Sequence, residues 1–166
     1  MTPILVFTSA TDAGAIATLL RACWAATYDS FLSEDTLAMI ALEWHHPDVL
    51  RRQIANPKVV FLLARTESGT LVGAATAKQV ADGTILSIQR LYVHPSYQRQ
   101  GIGSQLLRDV LAAFPHAQRL ELEVAEANLQ GRAFWTKHGF HESGRTQASV
   151  GEITLHMVAM EREVAA

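Results

Sequence analysis

The residues best suited to chemistry lie in one run, Gln98-Arg99-Gln100-Gly101-Ile102-Gly103-Ser104. It is followed at once by apolar residues at helical spacing, Leu106, Leu107, Val110, Leu111 and Phe114. A strand ending at Val93, a glycine loop and a helix start aim several backbone N–H groups at one spot. The positive end of the helix dipole points there too. Gly101 and Gly103 put no Cβ between an anion and the main chain. From Ser87 to Arg108 the chain carries Arg90, Arg99 and Arg108 and neither Asp nor Glu. A phosphate or pyrophosphate suits this pattern. Two well-known phosphate loops do not match it. A Walker loop ends in Gly-Lys-Ser/Thr, but Gly103 is followed by Ser104-Gln105, and a dinucleotide fingerprint wants a glycine where Leu106 stands.

The elements that must hold this loop follow from the periodicity. Ile4 to Thr8 reads as a first strand. Asp12 then caps a helix with Ile16, Leu19, Leu20, Cys23 and Trp24 on one face. Ser33 with Glu34 and Asp35 opens a second helix, and Pro47 starts a short third one that ends at Asn56-Pro57. The period then changes. Val59 to Arg65, Leu71 to Val80 and Thr84 to Val93 read as a three-stranded meander, with turns at Glu67-Ser68-Gly69-Thr70 and Asp82-Gly83. After the helix from Gly103 come a strand at Leu120 to Val124 and a helix at Leu129 to His138, closed by Gly139. Phe140 to Ala148 and Ile153 to Met160 form a final hairpin around Val150-Gly151. This order predicts an α/β (α+β type) fold, a mixed, mostly antiparallel sheet of about seven strands flanked by helices.

At 166 residues, 49% hydrophobic and 18% charged, the chain fits one domain over residues 1–166 with a sizeable core. No apolar run is long enough to span a bilayer, and the first residues lack the pattern of a secretory leader. The lone Cys23 permits neither an intramolecular disulfide nor a multi-cysteine zinc site. A net charge of −2 argues against a nucleic-acid partner. A reducing, cytoplasmic setting is expected, with no membrane partner.

The wider context of the loop resembles a known family. Gln98-Arg99-Gln100-Gly101-Ile102-Gly103 is similar to the Gln/Arg-x-x-Gly-x-Gly/Ala signature of GCN5-related N-acetyltransferases (GNATs), and Leu91-Tyr92-Val93-His94-Pro95 resembles their lead-in strand. Asn128, Phe134-Trp135 and Gly139-Phe140 resemble the second block, Asn-x-x-Ala-x-x-Phe-Tyr-x-x-x-Gly-Phe. The likeness is strong from Thr84 to Phe140 and extends weakly to Ala26-Thr27-Tyr28 and Phe31-Leu32. It implies acetyl-coenzyme A as co-substrate. The pantetheine arm would lie along the backbone of Leu91, Tyr92 and Val93. The pyrophosphate would sit on Gln98, Arg99, Gln100, Gly101, Ile102, Gly103 and Ser104, and Asn128, Phe134 and Trp135 would border the thiol end.

Acetylating an amine requires a base for the nitrogen's proton and benefits from an acid for the leaving thiolate. Leu122-Glu123-Val124 resembles the Leu-Glu-Val of ribosomal-protein N-terminal acetyltransferases, which implies Glu123 as base. Its structural alternative is a solvated strand residue between buried Leu122 and Val124. Trp135 stands where the family has a tyrosine, and its indole N–H is too weak an acid for this step. Tyr28 is the preferred substitute among Tyr28, Tyr92 and Tyr97, against a plain packing role. His94 is expected to face solvent. His45-His46 reads as a helix cap or a substrate contact, and its adjacent side chains diverge too much to share a metal. No metal is expected. Trp24, Phe31 and Trp44 read as core rather than as a substrate platform.

Residues 1–50 hold Asp12, Asp29, Glu34, Asp35, Glu43 and Asp48 against Arg21 alone. If they flank the acceptor cleft, they favour an amine cation there. The implied function is acetyl transfer to a primary amine of a small molecule or protein, by direct attack in a ternary complex. A homodimer is one assembly to expect. A non-catalytic acyl-coenzyme A-binding or regulatory module is the alternative, favoured by Trp135. A nucleotide-binding protein is disfavoured by the missing lysine and third glycine.

Overall fold

The computed structural model describes residues 4–7 and 12–164. Its elements run β1 (Ile4–Phe7), α1 (Ala13–Tyr28), α2 (Glu34–Glu43), α3 (Pro47–Ala55), β2 (Val59–Arg65), β3 (Leu71–Val80), β4 (Ile85–Val93), α4 (Ile102–Ala113), β5 (Arg119–Ala125), α5 (Leu129–Lys137), β6 (His141–Val150) and β7 (Ile153–Glu163). The seven strands lie in the order β1-β2-β3-β4-β5-β7-β6. Every neighbouring pair is antiparallel except β4 and β5. That pair is parallel because α4 carries the chain back across the sheet between them.

Local chemistry accounts for most boundaries. Ser33 Oγ accepts from the Thr36 amide and caps α2, while Pro47 sits in the first turn of α3. Asp12 precedes α1 as expected but makes no side-chain cap. Its Oδ1 instead accepts from Arg65 Nη2 at 2.9 Å, tying α1 to the end of β2. The expected two-residue turn at Asp82-Gly83 is a longer one. Ala81, Asp82 and Gly83 all take positive φ, and Thr84 Oγ1 bonds the Ala81 carbonyl and Asp82 Oδ1. Strand four therefore begins one residue later than the pattern suggests. β6 and β7 run further than predicted, to Val150 and Glu163. β6 is mostly exposed, so alternation in hydrophobicity could not mark its end.

Both sheet faces are covered at the centre. Leu106, Leu107 and Val110 of α4 pack with Ala75, Ala77, Leu86, Leu120 and Leu122 on one face. On the other, Ile16, Leu19 and Leu20 of α1 and Leu50 of α3 cover Phe61, Leu63 and Ala74. β3 between them is buried without a break from Val72 to Ala77, which is why it reads as an apolar run and not as an alternation. Its small residues set the helix distance. A Cβ on Gly73 would stand 3.2 Å from Leu106 Cδ1. Among the described residues no helix is long and apolar enough to cross a membrane.

Candidate active site

The site begins as a fault in the sheet. β4 and β5 pair from Ile85↔Arg119 to Ile88↔Leu122 and no further, although both strands continue. The cause is a bulge. Thr76 of β3 lies opposite Arg90 and Ala77 opposite Ile88, so Gln89 has no partner. The extra residue twists β4 away from β5 and reverses its alternation. Leu86 and Ile88 face the α4 side before the bulge, and Leu91 and Val93 face it afterwards. Arg90 and Tyr92 turn instead to the side of α1, α2 and α3. The backbone of β4 beyond Ile88 is thereby left open toward β5. A cleft of about 700 Å³ passes through the gap.

On the α4 side the cleft meets the glycine loop. Gly101 caps α4 in the left-handed conformation, φ 81°, and Arg99 is also left-handed at φ 63°. Open space surrounds the position a Gly101 Cβ would take. Gly103 serves in another way. Its Cβ would lie 3.3 Å from Phe134 Cε2 and 3.5 Å from Leu91 Cδ2, so the bare position lets the Phe134 ring rest close against the start of α4. Gln98 Nε2 donates to the Val93 carbonyl at 3.2 Å, and Ser104 Oγ lies 3.0 Å from His138 Nε2. Burial, then the neighbouring Lys137, Arg162 and Arg108, hold the His138 imidazole below its ordinary value. Of the residues expected to contact a coenzyme, Leu91, Tyr92, Val93, Gln98, Arg99, Gly101, Ile102, Gly103, Ser104, Asn128, Phe134 and Trp135 line the cleft. Gln100 is exposed and stands outside its walls.

Asn128 joins the two halves. Its Oδ1 accepts from the Gly131 amide and caps α5, while its Nδ2 donates to the Tyr28 hydroxyl at 3.2 Å. A Cβ on Gly131 would fall 2.5 Å from that Nδ2. Gly131, which stands where the block quoted above has alanine, lets the Asn128 side chain fold back over the helix start. Tyr28 is buried, and burial raises its hydroxyl above the ordinary phenol value. Trp135 is also buried, wedged edge-on between Phe134 and Phe140 at 5.0 and 5.1 Å between ring centres. Glu123 projects from β5 at the mouth of the split, exposed, with Oε2 accepting from Thr146 Oγ1 at 2.6 Å.

On the far side α1 and the α2–α3 junction build an aromatic wall. Trp24 contacts Tyr28 at 4.4 Å and Trp44 at 5.8 Å between ring centres, and Tyr92 lies beside them. Trp24 and Trp44, expected as core alone, are both core and cleft lining, while Phe31 is half exposed. The histidine pair divides as its adjacency predicts. His46 Nδ1 accepts from the Asp48 amide and caps α3, whereas His45 turns inward and lines the cleft. His94 is half-buried, and its Nδ1 accepts from the Ser96 amide in the turn before the glycine loop. Arg90 corrects the sequence reading most sharply. It is not a free cation near the glycine loop but a buried residue on the opposite face, bonded to Gln53 Oε1 and to the Trp44 carbonyl. A charged residue inside an apolar strand was the only signal of this.

The acidic bias of the first fifty residues does not reach the cleft. Asp12 pairs with Arg65 and Asp48 with Arg51. Glu123 is the one carboxylate among the described cleft walls.

Comparison with known proteins agrees with this geometry. The sequence model of the Acetyltransferase (GNAT) family matches residues 16–140. The chain belongs to the GNAT acetyltransferase family. A paiA N-acetyltransferase from Thermoplasma acidophilum, solved in complex with coenzyme A, superposes with a TM-score of 0.85 at 25% identity. That match covers 99% of this chain and 100% of the other. A GCN5-related N-acetyltransferase from Rhodopseudomonas palustris shares the fold with a TM-score of 0.81 at 23% identity, covering 99% and 97%. In sequence, the probable N-acetyltransferase Rv2775 of Mycobacterium tuberculosis is 43% identical over 61 residues, which is 37% of this chain and 34% of that protein. YqkA of Bacillus subtilis, a UPF0157 protein, is 32% identical over 85 residues, 51% and 24% respectively. The chain thus matches about a third and a quarter of the length of these two curated relatives.

Two expected results follow from the GNAT site. Arg99 is exposed, so beside a pyrophosphate held by the loop's N–H groups it would add only a screened charge. Arg99→Ala should weaken coenzyme binding by no more than about 1 to 1.5 kcal/mol, with the loss shrinking as salt rises. A calorimetric titration at two ionic strengths measures it. His45 is pushed down to about 3 by burial and by Arg90 beside it. The unfolded chain therefore takes up a proton near pH 6.5 that the folded chain refuses. Between pH 6.5 and about 3 this group makes stability fall as pH falls, by up to about 1.4 kcal/mol per pH unit. Denaturant midpoints for wild type and His45→Gln should converge on acidification, with the wild-type slope the steeper.

Proposed function

We propose that this chain transfers an acetyl group from acetyl-coenzyme A to a primary amine of a small molecule or protein, by direct attack while both are bound. The observation that carries the reading is the cleft that runs through the β4–β5 split. One end has a glycine loop at a helix start, and the other a buried aromatic wall. The co-substrate supplies an activated acetyl thioester. The open backbone of Leu91, Tyr92 and Val93 suits its amide-bearing arm, and the amides from Gln98 to Ser104 suit its pyrophosphate. In the transfer a C–N bond forms and the thioester C–S bond breaks. Glu123 takes the proton released by the amine. The Tyr28 hydroxyl, held by Asn128, gives one to the departing sulfur in the role that buried Trp135 cannot fill.

A second reading keeps the coenzyme and drops the chemistry. Trp135 in place of the family tyrosine supports it, since a binding or regulatory module needs no proton donor. Free-thiol release from acetyl-coenzyme A, measured across a panel of amines, separates the two. Amine-dependent release supports the transferase. A flat response alongside tight coenzyme binding would establish the module.

A further inference from the structure

We propose that the acceptor end of the cleft is built for an amine that also carries an oxyanion, a free amino acid or close analogue, with Arg90 as its anion-binding residue. This rests on the transferase reading above and specifies its acceptor. Arg90 is 8% exposed and lines the cleft. Its two hydrogen-bond acceptors, Gln53 Oε1 and the Trp44 carbonyl, are neutral, and no carboxylate pairs with it among the described residues. A guanidinium has five N–H donors, and these two bonds leave others to a ligand. A buried, uncompensated cation is costly to a fold unless a ligand uses it.

A second polar group nearby is also unmatched. His45 is 4% exposed, lines the same end, and its Nδ1 has no hydrogen-bond partner. A neutral imidazole and a guanidinium together suit a carboxylate or similar oxyanion, the imidazole donating from one nitrogen while Arg90 supplies the charge.

The split fixes where the amine would go. Glu123 and Arg90 lie just beyond the last paired residues, Leu122 and Ile88, on opposite sides of the opening. Leu120, Leu122 and Val124 face the α4 core, so Glu123 shares the other face with Arg90. A zwitterion placed between them sets its ammonium toward the glutamate and its oxyanion toward the arginine. The rings of Trp24, Trp44 and Tyr92 leave an apolar surround for a side group. A polyamine would instead bring a second ammonium against Arg90, which like charge disfavours.

The test compares matched amines with and without the carboxylate: L-phenylalanine against phenethylamine, and L-methionine against its decarboxylated amine, with spermidine as a multiply charged third case. Thiol release gives kcat/KM for each, and indole fluorescence of the coenzyme complex gives amine affinity. The carboxylate-bearing member of a pair is expected to be at least about 100-fold the better substrate. Arg90→Gln should collapse that ratio toward one, and Arg90→Lys should restore part of it. The ratio within a pair is insensitive to a general loss of folded protein, and the wild-type comparison needs no variant at all. Equal or better turnover of phenethylamine or spermidine by wild type overturns the proposal while leaving the transferase standing. If no amine is acetylated, the transferase reading falls. Fluorescence then decides this one, since L-phenylalanine binding no tighter than phenethylamine overturns it too.

Discussion

Gly101→Asp is expected to abolish the thermal stabilisation that acetyl-coenzyme A confers on the wild-type protein. A ligand at 100 times its dissociation constant stabilises the native state by about 2.7 kcal/mol, so the wild-type shift is easily measured. The substitution separates folding from binding. Gly101 has φ 81° with open space where a Cβ would go, and aspartate is among the side chains that tolerate the left-handed region best. Its carboxylate also sits favourably at the positive end of α4, which offsets part of the backbone cost. The unliganded variant should therefore fold. The same carboxylate would occupy the place proposed for the pyrophosphate and oppose its charge. Gly101→Asn is the companion variant, with similar shape and no charge, and it should retain part of the shift. Unchanged coenzyme affinity in folded Gly101→Asp would remove the loop from the binding site.

Glu123→Gln should lower turnover by about 100-fold or more near neutral pH, with less loss as pH rises. The amide keeps the side chain's size and can still bond Thr146, but it cannot take a proton. At alkaline pH amines arrive already deprotonated, so the need for a base diminishes. Trp135→Tyr supplies a phenol at the family position, at a packing cost because Trp135 is wedged against Phe134 and Phe140. It should raise turnover if thiolate departure limits the rate. Rates for both variants under saturating coenzyme distinguish the cases. Wild-type turnover in Glu123→Gln would hand proton removal to solvent. Coenzyme binding without transfer in any variant would favour the module.

The parts of this protein that the sequence determined are those written in local chemistry. Ser33, Pro47 and Gly139 mark helix ends through short-range bonds and dihedral preference, and β2 and β3 fall between the residues their periodicity predicts. The glycine-loop half of the cleft was equally legible, because a strand, a glycine turn and a helix start are consecutive in the chain. Even there the two glycines differ in a way spacing could not reveal. Gly101 answers a backbone angle, whereas Gly103 answers the ring of Phe134, thirty-one residues away.

The aromatic half of the cleft belongs to tertiary structure alone. A single bulged residue, Gln89, reverses the alternation of β4 and sends Arg90 and Tyr92 to the face opposite the one their neighbours imply. No propensity in the sequence of β4 marks a bulge that depends on where β3 pairs. The net acidity of the first fifty residues likewise gave no guide, since surface arginines take up Asp12 and Asp48 and the wall left behind is aromatic. Charge counted along a chain adds without regard to direction. What a ligand meets depends on which side chains the fold turns inward, and here those are Arg90 and His45.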